Sequence, residues 1–221
     1  SVATDVLGRL VEVLAGQPFE DFVTERILRP LGMDDTAFFV PEEERGRLAQ
    51  LYVPASDRTC RAAGSFGPVA SSSPPFPSGG GGLVSTAGDY MRFCEMLRRR
   101  GEYESPGGGG GRLVGPRTHA YMVRNHLPGG VDLEAYGQST FAETSFDGVG
   151  FGLGFSVVDD AAAVKVVGNA GEYGWGGAAS TVFWVDPADD MVVLFMTQLL
   201  PSSTYAIRPQ LRQLVQQAIV E

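Results

Sequence analysis

The sequence predicts an α+β fold built as two lobes, and three observations lead there. Apolar residues recur every three to four positions through the first part of the chain, then alternate in short runs from about Phe151 onward. Only short turns separate those runs, which suits an antiparallel meander better than helix-linked parallel strands. An amphipathic segment, Tyr205–Val220, closes the chain and can back the sheet. The reading is a helical lobe with covering loops over 1–145, and antiparallel strands with a C-terminal helix over 146–221, intertwined as one domain. With 221 residues, 43% of them hydrophobic, the chain can bury a sizeable core.

Thr4 or Asp5 caps a first helix to about Leu14, with Val6, Leu10, Val13 and Leu14 on one face and Gly16 as its stop. Pro18 opens a second helix to about Leu28, ended by Pro30, and Leu31–Thr36 reads as a turn. A short helix over Pro41–Gln50 precedes a strand at Leu51–Val53. From Pro54 to Gly82 the Ser-, Pro- and Gly-rich composition predicts one long covering loop. Ser85 or Thr86 caps a helix over Ala87–Arg100, with Tyr90, Phe93, Cys94 and Leu97 on its apolar stripe. Five glycines, Gly107–Gly111, predict a flexible tip, Pro116 starts a helix to about Val123, and Asn125–Asp147 reads as a polar loop. Four strands follow at Phe151–Val158, Val164–Asn169, Ala178–Val185 and Met191–Gln198.

Composition excludes several functions. A net charge of −9 without a basic cluster argues against nucleic acid and against anionic membrane surfaces. No stretch approaches the ~20 apolar residues of a membrane span, and no secretory leader is visible. Cys60 and Cys94 are too few for a disulfide framework or a zinc site, and both read as small buried thiols. No cofactor signature is present: the glycine run lacks the Gly-Lys-Ser/Thr of a phosphate-binding loop. Lys165 is the sole lysine, so a lysine mechanism has one candidate. His119 and His126 form no zinc-binding pattern and read as surface or loop residues. Gly-x-Ser-x-Gly is absent, and the Asp159-Asp160 and Asp189-Asp190 pairs read as turn chemistry.

What remains is Gly171-Glu172-Tyr173-Gly174-Trp175-Gly176-Gly177-Ala178, read as a tight bend leading into the strand that stops at Asp186-Pro187. Adjacent glycines let a ligand or another backbone approach main-chain N–H groups that a Cβ would screen, which can turn a strand edge into a substrate rail. A glycine bulge in an ordinary sheet is the alternative reading of the same residues.

Three segments in order resemble the β-lactamase-related, penicillin-recognising serine hydrolases, and within them the family VIII carboxylesterases. They are Asp5–Gly16 running on through Pro30-Leu31-Gly32-Met33-Asp34-Asp35-Thr36, then Gly79–Tyr90, then Trp175-Gly176-Gly177 closing on Asp186-Pro187. The resemblance covers essentially the whole chain and implies a β-lactamase/transpeptidase-like fold, an antiparallel sheet flanked by helices with a helical lobe. It also implies a serine nucleophile in Ser-x-x-Lys, an assisting tyrosine motif, and a strand motif that Trp-Gly-Gly fills in esterase-like members. Only the third occurs here. Ala162 stands three residues before Lys165, and no tyrosine has Asn two positions later. Ser1 resembles the residue that follows the motif tyrosine, so the chain reads as the C-terminal portion of such an enzyme, inert alone, its N-terminal segment supplied elsewhere or as a separate chain.

By that resemblance the Ala178 N–H is one oxyanion donor, the nucleophile's N–H is the other, and Trp175, Gly176 and Gly177 line the substrate site. Trp175 stands where β-lactam-processing members carry lysine, which implies a carboxylesterase acting on small esters through an acyl-enzyme. A β-lactamase, D-amino-acid peptidase or acyltransferase on the same scaffold is the alternative. A catalytically dead binding or scaffold homologue is the reading from another class, and Ser-x-x-Lys in the parent would separate the two.

Overall fold

A computed structural model describes residues 2–57, 59–63, 74, 76–137 and 145–220. The chain opens with helix α1, Val2–Ala15. A second helical run comprises α2, Phe19–Val23, a π-helical turn over Thr24–Leu28, and α3, Arg29–Leu31. Pro30 does not end this helix, as its ring would suggest. The π turn loosens the i→i−4 ladder before it, where a proline would otherwise clash. The helix stops at Gly32, whose left-handed φ of 65° lets the Met33 N–H reach back to the Leu28 carbonyl at 2.9 Å.

A 3-10 turn over Glu42–Arg47 leads to strands β1, Tyr52–Pro54, and β2, Cys60–Ala62, paired as an antiparallel hairpin. Part of the expected Pro54–Gly82 loop is therefore regular, while 64–73 and 75 lie outside the described residues. Helix α4, Ala87–Arg98, begins where the Thr86 hydroxyl accepts the Asp89 N–H at 3.2 Å. Strands β3, Glu102–Glu104, and β4, Gly110–Arg112, pair as a hairpin that takes in the glycine run, Gly110 and Gly111 lying in β4, instead of a loose tip. Gly108 and Gly109 both take φ of 87° at its turn. Helix α5 spans Pro116–Met122, and α6, Leu133–Tyr136, is capped by Asp132 within the expected polar loop, of which 138–144 lie outside the described residues.

Strands β5, Val149–Phe151, and β6, Ser156–Val158, replace the single run expected over Phe151–Val158. Val164–Asn169 is not a strand. Asp160 accepts the Ala162 and Ala163 N–H groups, caps helix α7, Ala161–Val164, and Lys165 ends it at φ 59°. The strand in its place is β7, Tyr173–Gly176, so Trp175-Gly176 belongs to a strand and not to a bend before one. Strands β8, Val182–Asp186, and β9, Met191–Phe195, and helix α8, Ile207–Ala218, complete the chain. Strands β5 to β9 pair consecutively in one five-stranded antiparallel sheet, as the short turns require.

The chain divides into two compact units. One contains 1–49, 65–96 and 102–113; the other contains 50–64, 97–101 and 114–221. In the first, Val23, Leu28, Leu31, Met33, Phe38, Cys94 and Met96 are buried. Two of the segments that carry the family resemblance are joined here. The Asp35 N–H and Thr36 hydroxyl both donate to the Asp89 carboxylate, at 2.8 and 2.9 Å, and Thr36 meets Ser85 at 2.7 Å. Cys94 is buried as expected, its thiol pushed up to about 12 by desolvation, whereas Cys60 in the other unit is exposed beside the Tyr205 hydroxyl. In the second unit the core sits in the sheet: Val157, Tyr173, Phe183, Trp184 and Val185 are all buried, with Phe155 edge-on to Tyr173 and Phe183. Among the described residues no helix is long and apolar enough to cross a membrane.

Candidate active site

The alternation of β7 sorts its side chains onto two faces. Tyr173 and Trp175 share one, Gly174 and Gly176 the other. Their cross-strand partners follow: Phe183 lies opposite Trp175, and Trp184 lies opposite Gly174. Helix α8 occupies the glycine face. The Arg212 guanidinium pairs with the buried Glu172 carboxylate and lies 4.9 Å from the Trp184 ring centroid. Burial pushes the Glu172 carboxyl above its ordinary value, and Arg212 offsets this only in part.

Tyr173 anchors the other face. It is buried, its hydroxyl donates to the Leu97 carbonyl at 3.1 Å, and His119 Nε2 lies 3.0 Å from the same oxygen. His119 is thus a buried partner of the core and not the surface residue the sequence suggested. Desolvation, with Arg100 nearby, holds its pKa below the ordinary histidine value. His126, in contrast, meets the Tyr121 ring edge-on with ring centroids 4.4 Å apart.

Past Tyr173 the strand becomes accessible. Strand β6 pairs with β7 only at Tyr173 and Gly174, so the ladder on that side ends before Trp175. Trp175 is 44% exposed and meets the Phe151 ring edge-on at 5.1 Å. An aromatic shelf therefore lies beside an unpaired length of strand edge.

The backbone then turns. The Ser180 N–H donates to the Gly177 carbonyl at 3.1 Å, closing a four-residue turn with Ala178 and Ala179 in the middle. The Gly177 N–H is taken by the Thr181 carbonyl at 2.9 Å. Among the described residues the Ala178 N–H donates to no protein acceptor. Arg208 Nη2 donates to the Gly177 and Thr181 carbonyls at 2.7 and 3.1 Å. The two glycines have distinct reasons. A Cβ on Gly176 would fall 2.5 Å from the Arg208 guanidinium carbon, and one on Gly177 would fall 2.5 Å from the Thr181 hydroxyl. Gly177 thus accommodates the turn itself, where the sequence suggested it cleared the approach to Ala178.

The four residues singled out from sequence, Trp175, Gly176, Gly177 and Ala178, form one continuous edge-and-turn. Phe151 and Arg208 were missed, since neither carries a motif. Arg208 stands 31 residues beyond Gly177 in the chain, and only the return of α8 onto the sheet brings it there.

A five-stranded antiparallel sheet with a helix on one face is the layout of the β-lactamase/transpeptidase-like fold. The chain belongs to the Beta-lactamase family, which it matches over residues 1–217. It is 34% identical over 205 residues to Protein Rv1367c of Mycobacterium tuberculosis, covering 91% of this chain and 48% of that protein. It is 32% identical over 212 residues to Esterase EstB of Burkholderia gladioli, covering 89% of this chain and 48% of the esterase. Among solved structures it resembles EstCE1, a hydrolase with promiscuous acyltransferase activity, at TM-score 0.76 and 27% identity, covering 97% of this chain and 55% of that one. The chain spans about half the length of the curated relatives it matches.

Proposed function

We propose that this chain is the oxyanion-binding, substrate-lining part of a serine hydrolase that cleaves small carboxylic esters through an acyl-enzyme. The observation that carries the reading is the free Ala178 N–H at the end of β7, beside Trp175. A fixed N–H aimed at a developing negative oxygen stabilises an acyl-transfer transition state, and one such donor contributes ~3–4 kcal/mol. In this reading the nucleophile, its lysine and an assisting tyrosine come from the remainder of a whole-length polypeptide, together with the second donor.

Trp175 supports esters over β-lactams. A neutral aromatic beside Phe151 favours an apolar acyl or alkoxy group and offers no cation to a β-lactam carboxylate. Arg208 does not substitute for one, because it lies on the glycine face and donates to two carbonyls. Likeness to EstB and EstCE1 supports the same choice. Acyl transfer to an alcohol in place of water is a second reading, supported by the acyltransferase side-activity named for EstCE1. Helix α1 supports the need for further polypeptide, since Val6, Leu10 and Leu14 are 63%, 48% and 78% exposed.

The test is a comparison of p-nitrophenyl butyrate and benzylpenicillin as substrates of the whole-length polypeptide that carries this chain. The ester should be turned over and the penicillin should be a poor substrate. Faster cleavage of the penicillin would overturn the assignment.

A further inference from the structure

Arg208 sits in the first turn of α8, outside every motif of the sequence, yet it touches the one peptide group on which the proposed chemistry depends. The Gly177 carbonyl and the Ala178 N–H belong to the same planar trans peptide, so they point in opposite directions. Whatever fixes the carbonyl therefore aims the N–H. The carbonyl is held from two sides, by Arg208 Nη2 at 2.7 Å and by the Ser180 N–H at 3.1 Å. One residue earlier, the Gly177 N–H is tied to the Thr181 carbonyl, which Arg208 Nη2 also contacts at 3.1 Å. One guanidinium nitrogen thus bridges both arms of the turn.

We infer that Arg208 is a positioning residue for the oxyanion site, clamping and polarising the Gly177–Ala178 peptide so that its N–H faces the reacting oxygen. The inference rests on the reading of Ala178 as an oxyanion donor. Two effects act together. The bridge removes rotation of the peptide plane, so the donor is preorganised before the charge develops. A cationic donor on the carbonyl also draws electron density from the amide, which strengthens its N–H as a donor. Gly176 belongs to the same device: a side chain there would displace the guanidinium it lies against. Lysine can reproduce the contact in part, since both bonds come from one nitrogen and an ammonium carries three donors on one atom.

The experiment measures ester hydrolysis by the whole-length enzyme with Arg208→Gln, Arg208→Lys, Gly176→Ala and Ala178→Pro, each with its melting temperature. Arg208→Gln should lower kcat for p-nitrophenyl butyrate about 10- to 100-fold, with KM changed by less than about 2-fold. Affinity for a trifluoromethyl ketone, which forms a tetrahedral oxyanion, should fall in parallel. Arg208→Lys should retain more of kcat than Arg208→Gln, since an ammonium keeps both the charge and several donors on one nitrogen. Gly176→Ala reaches the same clamp from the other side and should reproduce the kcat effect if Arg208→Gln proves too unstable to assay. If Ala178→Pro lowers kcat while Arg208→Gln and Gly176→Ala leave it intact, the inference on Arg208 is wrong and the oxyanion reading stands. If Ala178→Pro leaves kcat intact, the oxyanion reading itself fails. A loss confined to KM in Arg208→Gln would also overturn the inference.

Discussion

Helices α1 and α8 are both amphipathic, and they use their two faces in opposite ways. In α8 the half-buried positions are Ile207, Arg208, Pro209, Leu211, Arg212, Val215 and Gln216, one side of the helix with Pro209 at its edge, and Arg208 and Arg212 hold the sheet from that side. Helix α1 turns its small and polar side inward. Gly8 is buried, with room for only a Cβ before the Phe19 ring at 3.4 Å. Asp5 accepts from the Ser78 hydroxyl at 2.6 Å and the Gly80 N–H at 3.0 Å, and Glu12 accepts the Phe19 N–H at 3.0 Å. Val2, Val6, Leu7, Leu10, Val13 and Leu14 fall within roughly 140° of the wheel and are all exposed.

The difference teaches that an apolar stripe records what a helix meets in the protein for which its sequence was selected. For α8 those surroundings are present in this chain. For α1 the polar contacts, at Asp5 and Glu12, are made within the chain, whereas its apolar stripe stays exposed among the described residues.

The same change on the two stripes should sharpen the contrast most. In this chain, Leu211→Glu should destabilise by about 1–3 kcal/mol in urea unfolding, because a charge would enter the face α8 turns to the sheet. Leu10→Glu should shift stability by no more than about 0.5 kcal/mol, since the side chain leaves little surface uncovered that was covered before. Equal effects would break the comparison. Between these lies a pH effect from beneath α8. The folded Glu172 carboxyl titrates above its unfolded value, so its contribution is fully present below about pH 4.3 and is lost as pH rises through the folded value. Glu172→Gln should therefore remove part of the decline in stability on going from pH 4 to pH 7. An unchanged slope would assign that decline to other groups.

The switch of period near Phe151 located the antiparallel sheet, because alternation reports a half-buried strand directly. It missed β7, where Gly174 and Gly176 leave one face without side chains, so the strand reads as a bend. It also placed a strand over Val164–Asn169, where an Asp160 cap overrides the β-branched valines. Pro30 and the glycine run misled for one shared reason: a breaker residue marks a local constraint, and a π turn or a hairpin can satisfy it as well as a loop. Of the candidate site, Trp175-Gly176-Gly177-Ala178 stands out in the sequence as a contiguous motif. Arg208 and Phe151 were not, since their roles come from tertiary contacts that no local pattern encodes.

The central claim is that the Ala178 N–H is an oxyanion donor, and Ala178→Pro tests it with little else disturbed. Ala178 is the second residue of the Gly177–Ser180 turn, and neither it nor Ala179 has positive φ, so a type I-like turn accepts proline there. Gly177 before it tolerates the added restriction. The substitution deletes one N–H that makes no hydrogen bond within the described structure, so the fold and its melting temperature should hold. In the whole-length enzyme, kcat for p-nitrophenyl butyrate should fall by about 10²- to 10³-fold. Turnover within about 3-fold of the parent enzyme, with the fold intact, would contradict the account.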